Sequence, residues 1–348
     1  MPSPVTIIGG GLAGLTLGIG LRQRGVPVIV REAGDYPRHR VCGEFISGSG
    51  QAVLERLGLI AHLQKTGAVY ARTTLFVYGG AQSPIRQLAA PALCLSRHKM
   101  DSLLAEIFQQ LGGELQVNSR WTAGNTGEGI ISASGRRLQS ADKNERARWF
   151  GVKAHVASST PVELEADLEM HLSPDGYVGL SRIDNGQVNV CGLFQVRPDS
   201  RPESKTEWLR GQPGSLLRER LGAVQFETDS FCSVAGIQLK PQRAVDKKEC
   251  CIGDALTMTP PVTGNGMSMA FESAEMAIEP LVDYNRGKLS WTNAHRQIAL
   301  RCDAAFSRRL AWARVLQWMI VSPSIHGGLR KFLLHSDWLW KLMFAQTR

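Results

Sequence analysis

Apolar and polar positions follow different periods along this chain, and each change of period marks an element. Val5-Thr6-Ile7-Ile8 is an apolar run of strand length; Leu15, Leu17, Ile19 and Leu21 then give an amphipathic stretch, and Val28-Ile29-Val30 is a second apolar run. Strand, helix, strand within thirty residues predicts a parallel β-α-β unit. A helix is expected from about Ser49 to Leu57, stopped by Gly58, and short strands over 69–96, with turns at Gly79-Gly80 and Pro84. Met100, Leu103, Leu104, Ile107, Phe108 and Leu111 repeat at three-four spacing before Gly112-Gly113, which predicts an amphipathic helix with a glycine stop. Strands are expected near 115–117 and 129–133.

The pattern changes over 149–196. Runs at 149–156, 162–170, 177–182 and 188–196 are joined by Pro174-Asp175-Gly176 and Asp184-Asn185-Gly186, which predicts an antiparallel sheet unlike the opening unit. A polar helix is expected over 205–221, a buried strand at 250–254 and a long helix at 267–282. The expected organisation is therefore α/β. A first, discontinuous lobe comprises 1–68, 97–148 and 240–285, a β-sheet lobe comprises 69–96 and 149–239, and a helical segment follows over 286–348.

What joins the first strand to its helix carries chemistry. Gly9, Gly11 and Gly14 stand in G-x-G-x-x-G spacing, and Glu32 closes the second strand 18 residues later. One glycine makes the tight turn, one admits a pyrophosphate to the backbone, and one lets helix and strand approach. The helix N-terminus offers free N–H groups to phosphate, and Glu32 can accept from a ribose hydroxyl. A second constellation, Ile252-Gly253-Asp254-Ala255 and then Pro260-Pro261-Val262-Thr263-Gly264-Asn265-Gly266-Met267, sets a carboxylate after a buried strand and a Gly-Asn-Gly turn before a long helix. Such a helix terminus suits the edge of a flavin ring that becomes anionic on reduction.

With these two motifs in order, the chain resembles the FAD-dependent superfamily of p-hydroxybenzoate hydroxylase-type monooxygenases, geranylgeranyl reductases and flavin-dependent halogenases. Tyr36-Pro37-Arg38-His39-Arg40-Val41-Cys42-Gly43-Glu44 resembles the F-P-R-x-K-x-C-G segment of the reductases, and Arg97 resembles the family arginine that touches FAD. The resemblance implies a Rossmann-like FAD lobe, a β-sheet substrate lobe and one FAD, with NADH or NADPH as a transient reductant. It implies FAD contacts at Gly9, Gly11, Leu12, Ala13, Gly14, Glu32, Arg40, Cys42, Arg97, Val117, Gly253, Asp254, Pro261, Gly264, Asn265, Gly266 and Met267. Three segments depart from the family. Ser134-Gly135-Arg136 stands where hydroxylases carry Asp-Gly, Gly176 to Arg182 lacks the tryptophan and proline of the reductases' Y-x-W-x-F-P segment, and the halogenase W-x-W-x-I-P segment is absent.

Cys42 and Glu44 are the candidate catalytic residues. Cys42 is read either as a proton donor or as a small residue shaped to the ring, and Glu44 either as a general acid or as the ion-pair partner of Arg38 or Arg40. The expected reaction is oxygen transfer to a hydrophobic small molecule; saturation of a C=C bond is the alternative, and a non-catalytic redox sensor a third. The eight histidines show no ligand spacing, so no metal is expected, and no Ser-His-Asp order is recognisable.

Composition adds compartment and surface. Seven cysteines without C-x-x-C spacing point to free thiols. No basic leader and no apolar run of membrane-spanning length is visible, so a cytoplasmic protein is expected. The net charge of +9 resides entirely in 286–348, which holds eleven Lys or Arg, two acids and five of the eight tryptophans. Two basic, tryptophan-rich helices, 301–321 and 329–344, are expected to roof the substrate pocket, with peripheral contact to an anionic membrane as the further expectation. No nucleic-acid motif accompanies them.

Overall fold

The computed structural model describes residues 4–121, 127–135, 148–196, 206–237, 239, 241–321 and 335–346. The elements begin with β1 (Val5–Ile8), α1 (Leu12–Arg22), β2 (Val28–Arg31), β3 (Phe45–Ile46), α2 (Gly48–Arg56) and α3 (Ile60–Lys65). Next come β4 (Val69–Tyr78), β5 (Ala81–Gln82), β6 (Arg86–Cys94), α4 (Arg97–Gln110), β7 (Glu114–Gln116) and β8 (Ile130–Ser132). The middle of the chain forms β9 (Arg148–His155), β10 (Leu168–Ser173), β11 (Gly176–Arg182), β12 (Val188–Val196), α5 (Glu207–Arg210) and α6 (Leu216–Leu221). It finishes with β13 (Cys232–Ile237), β14 (Cys250–Cys251), α7 (Gly266–Asn285), α8 (Trp291–Val321) and α9 (Asp337–Gln346).

Two sheets organise these elements. The first is parallel, in the order β14-β8-β1-β2-β7, with Val5 opposite Val28 and Thr6 opposite Ile130. Ten of the eleven residues of α1 are buried, because the helix is enclosed by that sheet, α4 and α7. Glycine makes the enclosure close: a Cβ on Gly18 would lie 2.8 Å from Phe108 of α4, and one on Gly20 would lie 2.3 Å from Ile278 of α7. Such dry helix packing holds the carboxyl end of β1 fixed, which is where ligands bind in open parallel sheets.

The second sheet has the order β13-β9-β12-β11-β10-β4-β6-β3, with β5 beside β4. Along β9 the side chains alternate. Phe150, Val152 and Ala154 join the aromatic cluster under α5 and α6, with Phe150 4.9 Å from Trp208. Lys153 and His155 point the other way, toward Glu44. The period-2 rule thus divides the sheet into a packed back and a polar or apolar front.

Three expectations change. The helix expected over 205–221 is two short ones, because Gly211 (φ +79°), Pro213 and Gly214 interrupt it. The strand expected over 162–170 begins only at Leu168; Asp167 instead accepts from Arg72 N–H and Thr73 N–H, fixing the loop against β4. The first C-terminal helix starts at Trp291 rather than 301, because its buried stripe Ala294, Ile298, Cys302, Phe306, Leu310 and Ala313 is continuous with the core. Of the second expected helix, 337–344 is helical, and 329–334 lies outside the described residues. Among the described residues no helix is long and apolar enough to cross a membrane.

Candidate active site and cofactor cradle

The turn after β1 is built by contacts that exclude a side chain. A Cβ on Gly14 would lie 1.9 Å from the Gly9 carbonyl oxygen, and one on Gly9 (φ +108°) would lie 2.4 Å from the Ala133 carbonyl oxygen. Gly10, which the spacing did not single out, is equally constrained: a Cβ there would strike the Tyr36 hydroxyl, which donates to the Gly10 carbonyl. Gly11 differs. A Cβ there would meet nothing nearer than Arg97 Nη2 at 4.0 Å, so open space lies between the start of α1 and that guanidinium. The first intrahelical bond of α1 runs from Leu15 N–H to the Gly11 carbonyl, which leaves the N–H groups of Leu12, Ala13 and Gly14 facing the cradle.

Positive charge converges on that space. Arg97 is held bidentate by the buried Asp101, both contacts at 2.7 Å. Arg38 pairs with Glu32 at 2.7 Å. Arg40 has no ion-pair partner among the described residues, and burial, together with Arg38 and Arg97, pushes its pKa down. Three guanidiniums against two carboxylates at a helix N-terminus form a site short of one anion, as a pyrophosphate would supply. The residues fit FAD on this ground.

Glu32 is 5% exposed and takes N–H groups from Gly10 (2.8 Å) and Gly34 (3.0 Å). Burial alone would raise its pKa, but Arg38 and these two N–H groups outweigh it and hold the carboxyl at about 2. Val117 lies just beyond β7, 38% exposed, where the Glu32 N–H is bonded to the neighbouring Gln116 carbonyl. The second motif is brought to the same helix: a Cβ on Gly253 would lie 2.9 Å from the Ala13 Cβ, and Asp254 is exposed on that turn. Pro261 begins a single turn that ends at Gly264 (φ +64°), whose missing side chain is replaced by the Phe45 ring. Asn265 stands at the N-cap of α7 without a side-chain capping bond, and the first helical bond runs from Met269 N–H, so the N–H groups of Gly266, Met267 and Ser268 have no intrahelical partner. Ser47 Oγ ties this turn to β3, 2.7 Å from Ser268 Oγ.

The loop between the motifs corrects one expectation. Glu44 pairs with neither Arg38 nor Arg40. Its backbone is left-handed (φ +59°), which turns the side chain into the front of the second sheet. There Oε1 lies 3.1 Å from Lys153 Nζ and accepts from Arg97 N–H at 2.8 Å, while Oε2 lies 2.7 Å from His155 Nε2. Glu44 and Lys153 are both fully buried. Burial would raise the Glu44 pKa, but His155 and Lys153 outweigh it and keep it low, so the group stands as a carboxylate. A fully engaged carboxylate is a structural anchor and a poor general acid. Lys153 also lies 3.0 Å from His39 Nδ1; burial and then the Lys153 charge push the His39 pKa down to about 4. His39, Glu44 and His155 bring ligating atoms within 4.8 Å of one another, a cluster that spacing along the chain did not reveal. The Lys153 ammonium contacts two of the three and supplies the cation there itself.

Cys42 is half-buried. Its Sγ accepts from the Glu44 N–H at 3.4 Å, and its carbonyl accepts from Asn189 Nδ2 at 3.1 Å. Burial raises the thiol pKa against the opposing pull of Arg97, so the sulfur keeps its proton. Beyond this polar end the sheet front becomes apolar. Tyr177, Leu193, Ile237 and Val262 form a buried cluster, against which the partly buried Trp149, Met170, Leu172, Met258 and Leu316 pack. Val262 belongs to the turn before α7 and Leu316 to α8, so this apolar face lies between the second motif and the C-terminal helices. α9 covers the same front farther along: Trp340 stacks edge-on to Phe76 at 5.2 Å, and Asp337 pairs with Arg86 at 3.0 Å.

Comparison with known proteins agrees with the geometry. Residues 2–101 match the family model of the FAD binding domain. The chain is similar to the menaquinone reductase of Mycolicibacterium smegmatis, 22% identical over 314 residues, which cover 79% of this chain and 75% of that protein. The flavin-dependent brominase Bmp2 superposes with a TM-score of 0.74 at 17% identity, covering 98% of this chain and 92% of that one. PqsL of P. aeruginosa, in complex with 2-aminobenzoylacetate, superposes with a TM-score of 0.71 at 17% identity, covering 94% of this chain and 99% of that one. The chain shares its fold with these flavin-dependent enzymes, and residues 2–101 match the FAD binding domain.

Proposed function

We propose that this protein is an FAD-dependent monooxygenase of an apolar small molecule, with NADH or NADPH as transient reductant. The observation that carries the reading is the buried apolar cluster of Tyr177, Leu193, Ile237 and Val262 on the sheet front, which includes the turn before α7 at Val262 and is packed by Leu316 of α8. Such a wall excludes water from the reacting centre and holds a substrate without charge. FAD supplies the redox chemistry when bound. The chain's own residues bind its phosphates (Arg97, Arg40 and the α1 terminus), hold its ribose (Glu32) and seat its ring (264–267). The test is whether the yellow protein, bleached by NADH or NADPH under nitrogen, consumes oxygen stoichiometrically with an apolar aromatic substrate and forms a hydroxylated product. Oxygen consumption giving only hydrogen peroxide with every substrate offered would sink the reading, and absence of turnover would favour a redox sensor.

Saturation of a C=C bond is the second reading, and Cys42 favours it: a thiol that keeps its proton beside the cradle can deliver that proton to carbon. Under the monooxygenase reading Cys42→Ser keeps FAD and loses less than about tenfold in kcat. A loss of a thousandfold or more, about 4 kcal/mol in barrier, with FAD content unchanged, would decide for the reductase.

Substrate supply is proposed to come from an anionic membrane surface. Val315 and Trp318 near the end of α8 are 46% and 61% exposed, Trp338 of α9 is 72% exposed, and Ile85, beside the Arg86 that holds α9, is 53% exposed. Arg308, Arg314 and Lys341 are exposed on the same two helices. Tryptophan with arginine and lysine suits a headgroup layer, at about 1 kcal/mol per basic residue near the surface. The whole chain should sediment with vesicles of mixed phosphatidylglycerol and phosphatidylcholine at low salt, and Trp318→Ser/Trp338→Ser should reduce the bound fraction at least about tenfold. If the whole chain stays in the supernatant, or the double variant binds as well, the two helices are only a roof.

A further inference from the structure

A cleft of about 230 Å³ runs between α8 and two short stretches of chain, 241–243 and 256–257. Its floor is Leu256, Phe306 and Leu310, which belong to the buried core of the first lobe and not to the apolar cluster on the sheet front. Along α8 the lining extends from Asp303 to Arg314, roughly 16 Å at the helical rise. Such a volume spread over such a length is narrow, so the cleft suits a single chain and not a fused ring. Its polar side chains are already used, with one exception. Asp303 accepts from the Ala244 N–H at 2.7 Å and the Val245 N–H at 3.2 Å, and lies 3.9 Å from Arg243 Nε. Thr257 Oγ1 accepts from the Gln242 N–H at 3.1 Å, Lys247 donates to the Gln242 side chain, and Ser307 donates to the Asp303 carbonyl. Arg314 stands exposed at the other end of the cleft, with no ion-pair partner among the described residues.

We propose that this cleft binds a free fatty acid of medium chain length, with its carboxylate on Arg314 and its chain over Leu310, Phe306 and Leu256. A guanidinium with no partner at the end of an apolar cleft is complementary to a carboxylate carried on a hydrocarbon. Its planar fork takes both carboxylate oxygens, and a bidentate charged pair is stronger than a neutral hydrogen bond. The chain removes the apolar floor from water, which supplies the rest of the affinity. An alcohol of the same length covers the floor equally but offers the guanidinium one neutral oxygen. A short carboxylate makes the pair and leaves the floor wet. Only a molecule with both parts uses the whole cleft. The site is separate from the apolar face on the second sheet and independent of the reaction that the flavin performs. Ala311 and Arg314, the two exposed residues of its wall used below, belong to neither the cofactor cradle nor the sheet front.

The experiment compares octanoate, octanol and butyrate by titration calorimetry on the FAD-loaded protein, below the micellar range and without vesicles. Wild type should bind octanoate at least about tenfold more tightly than either octanol or butyrate. Arg314→Gln should weaken octanoate by about tenfold and leave octanol unchanged, because only the charged pair is lost. Ala311→Trp should abolish octanoate binding by filling the cleft. Both positions are exposed, so the fold tolerates the two substitutions and FAD content stays that of wild type. Equal affinity of wild type for octanoate and octanol overturns the role of Arg314, and with it the choice of a fatty acid. Unchanged octanoate binding by Ala311→Trp places the ligand elsewhere, on the sheet front included, and overturns the proposal. Absence of octanoate binding to wild type overturns it outright.

Discussion

Gly11→Val should give a folded protein without its yellow colour. Gly11 is extended (φ −88°, ψ −170°), a conformation open to any residue, and a Cβ there has no neighbour closer than 4.0 Å. The apoprotein should lose only the modest cost of valine at an N-cap position, about 1 kcal/mol. The new side chain occupies the space where phosphate oxygens would meet the α1 terminus and Arg97, so FAD affinity should fall at least about a hundredfold, roughly 2.7 kcal/mol. Gly14→Ala is the contrasting variant, because its methyl group would overlap the Gly9 carbonyl, and it should not fold at all. Gly25→Ala is the control: φ is +78° with open space around it, so it loses about 1 kcal/mol of stability and keeps FAD. Flavin absorbance per mole of refolded protein and the apoprotein melting curve separate these outcomes. A Gly11→Val protein with full flavin content would refute the cradle.

The contrast between Gly11 and Gly14 shows what was legible in the sequence. The spacing named both glycines, because a β-α-β turn is a short-range object whose chemistry lies within thirty residues. It could not assign different reasons to them, since one is fixed by the Gly9 carbonyl and the other by space left for a ligand. Arg97 and Glu32 were legible through their place in elements. Their partners were less so: Asp101 lies one helical turn from Arg97, but Arg38 reaches Glu32 across a loop. The Glu44 site was illegible for a different reason. His39, Lys153 and His155 reach Glu44 over sequence separations of up to 111 residues, and only the register that sets Lys153 opposite Cys191 and Cys232 places its ammonium there. One signal was available. A lysine between Val152 and Ala154, inside an otherwise apolar strand, calls for a buried partner. The two short helices α5 and α6 were misread because polar periodicity outweighed Gly211 and Pro213.

Lys153→Met should be the most destabilising single substitution outside the glycine turn. It removes the ammonium 3.1 Å from Glu44 Oε1 and leaves a fully buried carboxylate with His155 and the Arg97 N–H. Breaking one side of a buried pair costs about 3–5 kcal/mol, read as a fall in the urea midpoint. Replacing both partners, Lys153→Met with Glu44→Gln, should recover much of the loss, because no uncompensated charge remains. The pH dependence has a definite sign. The His39 pKa is depressed, to about 4 against an ordinary 6.5, so the folded state takes up its proton later than the unfolded chain. The stability that this gives is complete above about pH 6.5 and is lost as pH falls toward 4. The Glu44 and Glu32 pKa values are also depressed, the latter to about 2, so their stability is present above an ordinary carboxylate pKa of 4.5 and is lost as pH falls below it. Wild type should therefore be flat in stability above pH 6.5 and weaken in two stages below it. Lys153→Met should reduce the first stage, because burial still depresses the His39 pKa but the Lys153 charge that adds to it is gone, and should shrink the Glu44 part of the second while leaving the Glu32 part. A variant as stable as wild type at pH 7, with the same acid profile, would show that the buried pair neither fixes the loop nor sets the titration of His39.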